Sequence, residues 1–283
     1  MNLKGRKDEY CVIGDKVAET ETYRLYLCEQ VATGRECFLQ IALSAAGNAA
    51  LDRMAYFLDE LQARAEELEV EYATVRTDPK KVLNYGFQFP ELLDSFVSSE
   101  QGGRKVNILA YRCVDAINAM VPIQTIMSKD SKGVDLRTSA WILGKLLKLL
   151  TFAHSQHISI GRLDESNVFI EPDKHYVLVF DWSGARIEQG GVSADVARQE
   201  IMAVARLVIT FLDGDHQKRF VPEQSMDDGF ALYTQHLFQL AAGSSASAED
   251  AHAAFYKLIG SQGLKWKGKH PFTPVNVSNK KGE

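Results

Sequence analysis

Two oxygen-bearing side chains, Asn167 and Asp181, stand at a spacing that suits a magnesium site. Asn167 ends a polar run that follows a long apolar helix pattern, and Asp181 closes the hydrophobic run of residues 177–180. A short hairpin pattern with turn residues 171–174 lies between them. Mg²⁺ takes oxygen ligands, commonly one or two carboxylates together with the phosphates of a nucleotide. The spacing therefore predicts that Asn167 and Asp181 bind Mg²⁺ and, through it, a nucleotide.

A structural interpretation of the same two residues stays open. A loop asparagine often hydrogen-bonds the neighbouring backbone, and an aspartate at the end of a strand often caps a turn. Neither role needs a metal ion or a nucleotide. The residue types alone do not decide between the two interpretations.

The first part of the chain, which must position part of such a site, reads as β-strands with one amphipathic helix. Apolar and β-branched patterns predict five strands, over residues 10–17, 23–31, 36–43, 82–97 and 105–114. Asn48 is predicted to cap a helix whose apolar residues recur at helical spacing. These apolar positions are Leu51, Met54, Leu58, Leu61, Ala65 and Leu68. The strands are expected to pair antiparallel, because a short turn pattern joins the second and third.

From residue 116 onwards the pattern becomes mainly helical. Apolar periodicity predicts helices over residues 121–127, 135–156, 196–212, 231–242 and 248–259. Two short β runs, residues 168–170 and 176–180, interrupt them. We therefore expect a β-rich lobe at residues 1–115, a helical lobe at residues 116–262 and a basic, lysine-rich tail at residues 263–283.

The order of these elements, with the Asn and the Asp in their places, resembles the protein kinase-like superfamily. The resemblance covers about residues 10–212 and rests on the combined order rather than on one short motif. It implies an α+β, bilobal fold, with a small antiparallel β lobe carrying one helix and a larger, mainly helical lobe. It also implies ATP and Mg²⁺ as ligands, with Asn167 and Asp181 as metal ligands.

Two positions that the family uses for phosphotransfer carry different chemistry here. In the motif H-R-D-x-x-x-x-N the catalytic Asp stands five residues before the Asn, and that position is Arg162. A guanidinium cannot accept a proton at neutral pH. The strand lysine of V-A-I-K is replaced by Gln40, the last residue of the segment CFLQ, which brings no charge to phosphates. The helix carboxylate that would have paired with this lysine, expected by spacing at Asp59 or Glu60, has no partner at this position.

The loop that covers the phosphates and the segment after Asp181 also depart from the family. In place of G-x-G-x-x-G the chain has the segment GDKVAE, whose carboxylates repel a triphosphate unless a metal ion or Lys16 compensates. The counterpart of D-F-G is the segment DWS, and residues 184–194 contain no A-P-E sequence. A protein substrate of the usual kind has no platform on which to dock.

These departures predict a pseudokinase, a kinase-like protein without phosphotransfer that acts as a regulatory or scaffolding module and binds another protein. No residue is then catalytic, and no cofactor is required. The alternative hypothesis is a divergent Mg-nucleotide-dependent phosphotransferase or nucleotidyltransferase. It would use Asn167 and Asp181, with Lys16 as a further nucleotide contact and Asp164 as a substitute base. A nucleotide-sensing module that binds without turnover is a third hypothesis.

Composition narrows the remaining classes of function. The 283 residues carry a formal net charge of −5, which disfavours nucleic-acid binding except through the basic tail. The apolar runs are too short and too charged to span a bilayer, and residues 1–10 do not resemble a signal peptide. We therefore expect a cytoplasmic protein without membrane contact. The four widely spaced cysteines, without a C-x-x-C pair, favour buried free thiols over a zinc site: Cys11, Cys28, Cys37 and Cys113.

Overall fold

The computed structural model describes residues 2–79, 82–130, 134–171, 176–223, 229–260 and 263–266. They form two compact units. Unit 1 comprises Met1–Ala119 together with Phe180–Ala185, and unit 2 comprises Met120–Val179 and Arg186–Glu283. Within the part of the chain that the structure describes, no helix is both long enough and apolar enough to cross a membrane.

Unit 1 is built on a six-stranded antiparallel sheet with the strand order β1-β2-β3-β4-β6-β5. Its strands are β1 (Asn2–Lys4), β2 (Glu9–Glu19), β3 (Tyr23–Gln30), β4 (Arg35–Ala42), β5 (Glu91–Ser98) and β6 (Arg104–Ala110). The prediction of a strand over residues 82–97 is wrong in its first half, because Tyr85–Phe87 form a single 3₁₀ turn. Gly86, whose amide donates to the Glu69 carboxylate at 3.0 Å, lies in that turn. Strand β1 was not predicted, because three residues are too few to show a periodic pattern.

Helix α1 (Asn48–Val75) packs its apolar face on this sheet. The prediction that Asn48 caps this helix is wrong, since the capping position is Gly47. The Asn48 side chain instead donates to the Gly103 carbonyl at 2.9 Å and accepts from the Lys105 amide at 2.7 Å. The Asn48 side chain thus satisfies two backbone hydrogen-bonding groups of the hairpin between β5 and β6. A contact between segments so far apart in the chain is not visible in the local sequence pattern.

Unit 2 is organised around a helix that is buried on most of its circumference. Its helices are α2 (Ile123–Asp130), α3 (Leu136–Ser155), α4 (Ala194–Phe211), α5 (Phe230–Ala241) and α6 (Ala248–Ile259). Helix α3 packs against α4 and α6. Asp135 caps α3 by accepting from the amides of Arg137 and Thr138. Gly144 allows the close approach of α6, because a Cβ there would lie 2.8 Å from the Phe255 ring.

Short strands connect these helices and frame the polar loop that precedes Asn167. They are β7 (Val121–Pro122), β8 (Ile158–Ser159), β9 (Val168–Glu171), β10 (Tyr176–Val179) and β11 (Arg186–Ile187). Strand β9 pairs with both β10 and β7, and β8 pairs with β11. The hairpin predicted from the sequence is thus confirmed in its strands, and its turn residues 172–174 lie outside the described residues.

The first residues of the predicted basic tail pack against unit 2. The Trp266 ring lies edge-on to Tyr233, with 5.4 Å between the centroids, and the Arg137 guanidinium lies 5.5 Å from the same ring. The rest of the predicted tail, residues 267–283, lies outside the described residues. Its expected role in contacting an anionic partner stays a prediction.

Candidate functional site

Gln40, which stands where the sequence suggested a missing lysine, is fully buried between β4 and α1. Its amide nitrogen donates to the Met54 sulfur at 3.4 Å, and its amide oxygen accepts from Asn107 at 3.2 Å. Asn107 also donates to the Leu51 carbonyl at 3.0 Å and accepts from the Ser95 hydroxyl at 2.8 Å. The Gln40 amide is therefore committed to a neutral hydrogen-bond network inside unit 1.

Met54, and not an acidic residue, is the α1 side chain that faces Gln40. Asp59 and Glu60, which spacing suggested for the helix carboxylate, are both exposed. Met54 shares the buried face of α1 with Leu51 and Leu58, one turn before and after it. Asp59 and Glu60 follow five and six residues later and point away from that face. A thioether thus occupies the place where the resemblance implied a carboxylate.

A cluster of three buried aromatic rings lies on the same face of the sheet as Gln40. Phe38 precedes Gln40 by two residues on β4, so their side chains share one face. Its ring meets those of Tyr111 and Phe180 edge to face, at centroid distances of 5.7 Å and 5.6 Å. Burial raises the pKa of the Tyr111 phenol well above its usual value. The sequence signal for this cluster was the Phe of CFLQ, which stands where V-A-I-K has the much smaller Ala.

Asp181 belongs to unit 1, where its buried carboxylate holds a turn. One oxygen accepts from the Tyr23 hydroxyl at 3.3 Å, and the other accepts from the Ser183 amide at 2.9 Å. The Trp182 side chain is fully buried and lies edge-on to Phe89. The hydrogen bond from Ser183 is the turn cap that the structural interpretation of Asp181 predicts, and its role as a metal ligand stays a prediction.

The loop before Asn167, in unit 2, is organised by Asp164. One Asp164 oxygen accepts from the amides of Ser166 and Asn167, at 3.0 Å and 3.1 Å, and from the Ser166 hydroxyl at 2.6 Å. The other accepts from Arg162 Nε at 2.6 Å. The buried Asn167 side chain donates to the Arg162 carbonyl at 2.8 Å. Arg162, Asp164 and Asn167 therefore form one hydrogen-bonded turn.

These contacts weaken Asp164 as a proton acceptor. Partial burial by itself would raise the pKa of the Asp164 carboxyl, but hydrogen bonds from Arg162 and Ser166 outweigh it and lower the pKa below its usual value. A general base is most effective when its pKa lies near the working pH. Asp164 is thus suited to fixing the loop rather than to taking a proton from a substrate.

We expect the contribution of Asp164 to stability to disappear in acid. Because its pKa is lower in the folded than in the unfolded chain, the stabilisation is present above the unfolded value and is lost as the pH falls through the folded value. Asp164→Asn should therefore destabilise the protein at about pH 6, and the difference from wild type should shrink towards about pH 3. Urea denaturation at several pH values measures this difference. A difference independent of pH would contradict it. Asp195→Asn, at an exposed position of α4, is the matched control.

A buried carboxylate on α4, Glu200, holds the start of the same loop. One of its oxygens accepts from the Gly161 amide at 2.6 Å, and the other lies 2.7 Å from His154 Nε2 near the end of α3. Sequence reasoning missed this residue. The signal was a charged residue on the buried face of an apolar helix, between Ala197 and Val204.

Comparison with solved structures identifies the fold. Vaccinia related kinase 3 superposes with a TM-score of 0.60 at 11% identity, covering 93% of this chain and 90% of that chain. The PknI kinase domain of Mycobacterium tuberculosis gives 0.51 at 16%, covering 90% and 97%. Rad53 1–466 in complex with AMP-PNP gives 0.54 at 14%, covering 88% and 61%. The chain has the protein kinase-like fold. No protein-family model and no curated protein match the sequence.

The kinase-like fold confirms the predicted α+β class, with an antiparallel sheet and one long helix in unit 1 and mainly helices in unit 2. Of the predicted metal ligands, Asn167 belongs to unit 2 and Asp181 to unit 1. Each has the local hydrogen bonds described above. A shared metal ion stays a prediction for this kinase-like protein.

Lys16, the third predicted nucleotide contact, lies on β2 of the kinase-like fold, where the pairing with β3 is irregular. Its ammonium group contacts the Glu19 carboxylate at 2.6 Å, and the same carboxylate accepts from Arg24 at 2.9 Å. Hydrogen bonds from Lys16 and Arg24 lower the pKa of Glu19. The Lys16 charge thus offsets a carboxylate of the segment that the resemblance assigns to phosphates.

Proposed function

We propose that this kinase-like protein is a pseudokinase, which does not transfer phosphate and acts as a regulatory or scaffolding module that binds another protein. The observation that carries the proposal is the environment of Gln40. A lysine that contacts phosphates must reach a charged ligand, whereas position 40 is fully buried and is bonded to Met54 and Asn107. A neutral network of this kind offers no cation to a triphosphate.

The aromatic cluster of Phe38, Tyr111 and Phe180 supports the same proposal. Side chains two residues apart on a strand lie about 7 Å from each other, so Phe38 adjoins Gln40 on the face of the sheet. A nucleobase is joined to its phosphates through one ribose and must lie close to them. Three buried rings in edge-to-face contact already fill that neighbourhood. We infer that unit 1 fills with its own side chains the space that a base would need.

The loop of unit 2 gives independent support. A guanidinium at position 162 cannot serve as a general base, and the hydrogen bonds of Asp164 keep its carboxylate on Arg162 and Ser166. Phosphoryl transfer depends on positioning and electrostatic stabilisation by lysine, metal ion and base together. The lysine and the base are both replaced in this chain. The residues therefore support a binding function better than phosphoryl transfer.

A divergent Mg-nucleotide-dependent phosphotransferase or nucleotidyltransferase is the second candidate. The observation that favours it is the retention of Asn167 and Asp181, both buried and both oxygen donors of the type that Mg²⁺ prefers. Rad53, which shares the fold, was solved with AMP-PNP. In this candidate ATP and Mg²⁺ are the cofactors, and Asp164 would have to leave Arg162 to act as base.

Thermal denaturation with ATP, with and without Mg²⁺, separates the two candidates. A ligand that binds only the native state raises its melting temperature, so a nucleotide enzyme must respond to millimolar ATP. We expect no Mg²⁺-dependent rise for wild type and no transfer of labelled γ-phosphate to the protein or to a general acceptor. Asp181→Ala should behave like wild type in its response to ATP.

Other outcomes would change the proposal in defined ways. A Mg²⁺-dependent rise that Asp181→Ala abolishes, together with turnover, would overturn it in favour of the enzyme. The same rise in melting temperature without turnover would favour a nucleotide-sensing module, which binds the nucleotide but does not react it. Asp195→Asn controls for the lost carboxylate, because this side chain lies exposed on the first turn of α4.

A further inference from the structure

Two free thiols of unit 1, Cys28 and Cys37, lie in contact across neighbouring strands. Cys28 on β3 stands directly opposite Cys37 on β4, and their sulfur atoms are 3.2 Å apart. Both side chains are fully buried, among apolar residues that include Leu39, Ile41 and Val106. Neither thiol takes part in the site described above.

The register of the two strands suits a covalent bond between these sulfurs. Directly opposed residues of an antiparallel pair have Cα atoms about 4.5 to 5.5 Å apart. Disulfide-bonded cysteines span about 4.4 to 6.8 Å between Cα atoms, with about 2.05 Å between the sulfurs. The backbone therefore already has a permissive spacing. Closing the bond requires only that the side chains rotate to bring the sulfurs together.

The environment makes the two thiols unequal. A hydrogen bond joins the two sulfurs, and either thiol can be its donor; this bond and burial both raise the pKa of Cys28. The same hydrogen bond lowers the pKa of Cys37, and the nearby Arg35 guanidinium adds to this effect. Since the thiolate is the reactive form, the Arg35 charge beside Cys37 leads us to assign Cys37 as the nucleophile and Cys28 as the thiol that attacks the oxidised Cys37.

We propose that Cys28 and Cys37 form a modification site at which a peroxide closes a reversible cross-strand disulfide. The Cys37 thiolate attacks one oxygen of hydrogen peroxide, and the O–O bond breaks to give a sulfenic acid and hydroxide. Cys28 sulfur then attacks Cys37 sulfur, the S–O bond breaks, and hydroxide leaves. The protons of the two thiols convert both hydroxides to water. Two thiols are oxidised by two electrons and one peroxide is reduced.

Cys28 and Cys37 lie close to the turn of the β3–β4 hairpin, which gives an oxidant access to this buried pair. Cys28 and Cys37 form the third residue pair from the turn, after Gln30 with Arg35 and Glu29 with Glu36. Strand ends next to exposed turns open locally more often than the middle of a sheet. Hydrogen peroxide is small enough to enter through such an opening. Once formed, the disulfide ties β3 to β4 and opposes further opening of the hairpin.

Peptide mapping of the reduced full-length protein after hydrogen peroxide treatment tests the proposal. After catalase removes the peroxide, the remaining thiols are alkylated with N-ethylmaleimide. We expect a peptide in which Cys28 is joined to Cys37, lighter by about 2 Da than the two reduced peptides and restored by dithiothreitol. Amide hydrogen exchange in β3 and β4 should slow in the oxidised protein.

Variants and the other cysteines supply the controls. Cys37→Ala should lower the rate at which Cys28 is oxidised by about tenfold or more, because the nucleophile is gone. Cys11→Ala, at a half-buried neighbouring position, should still form the linked peptide. The proposal is overturned if Cys11 or Cys113 is fully oxidised while Cys28 and Cys37 remain open to alkylation after unfolding. The wild-type map decides this even if a variant fails to fold.

Discussion

Replacing Glu200 with alanine is expected to lower the free energy of unfolding by about 3–5 kcal/mol, because the buried carboxylate makes two hydrogen bonds and each hydrogen bond to a charged group contributes about 1.5–3 kcal/mol. The change leaves the Gly161 amide without its acceptor and removes the carboxylate that lies 2.7 Å from His154. Glu200 is buried, so water does not readily replace either contact. Urea denaturation of wild type and variant, followed by circular dichroism, measures the difference.

Two further variants separate the roles of the Glu200 side chain. Glu200→Gln keeps an oxygen that can accept from the Gly161 amide and should lose less than Glu200→Ala. Asp195→Ala removes an exposed carboxylate from the same helix and should cost about 0–0.5 kcal/mol. If Glu200→Ala cost less than about 1 kcal/mol, the start of the loop would have to be held by other contacts.

Restoring the lysine of the family at position 40 should destabilise this protein rather than activate it. Gln40→Lys places an ammonium group in a fully buried position beside the Met54 sulfur, which cannot neutralise its charge. An uncompensated buried charge costs about 3–5 kcal/mol. We expect a loss of this size in urea denaturation and no gain in ATP-dependent thermal stability.

The double variant Gln40→Lys with Met54→Glu tests the physical cause. If the missing partner is the reason for the loss, the pair should be more stable than the sum of the single changes predicts, by about 1–3 kcal/mol. Gln40→Leu is the neutral control and leaves only the Asn107 amide short of an acceptor. A Gln40→Lys variant as stable as wild type would mean that position 40 reaches solvent, which would contradict the burial of Gln40 in unit 1.

Local sequence patterns determined most of the elements and the order that identifies the fold. The α1 stripe of Leu51, Met54 and Leu58, the long apolar α3 and the hairpin of β9 and β10 follow from period and turn chemistry. The replacement of the family's lysine by Gln40 and of its aspartate by Arg162 could also be recognised in the sequence, because a motif fixes the residue type at a given spacing. Such information lies within a few residues of the chain.

Contacts between distant segments were decided only by the tertiary structure. The partner of Gln40 is Met54 because the sheet and α1 set which helix face looks inward, and counting along the chain pointed to Asp59 or Glu60 instead. In the same way, Asn48 serves a hairpin more than fifty residues away. Glu200 meets Gly161 only after the helices have packed, and the contact between Cys28 and Cys37 depends on the exact register of the hairpin. A one-dimensional pattern records which face a residue occupies, whereas its partner depends on what that face is packed against.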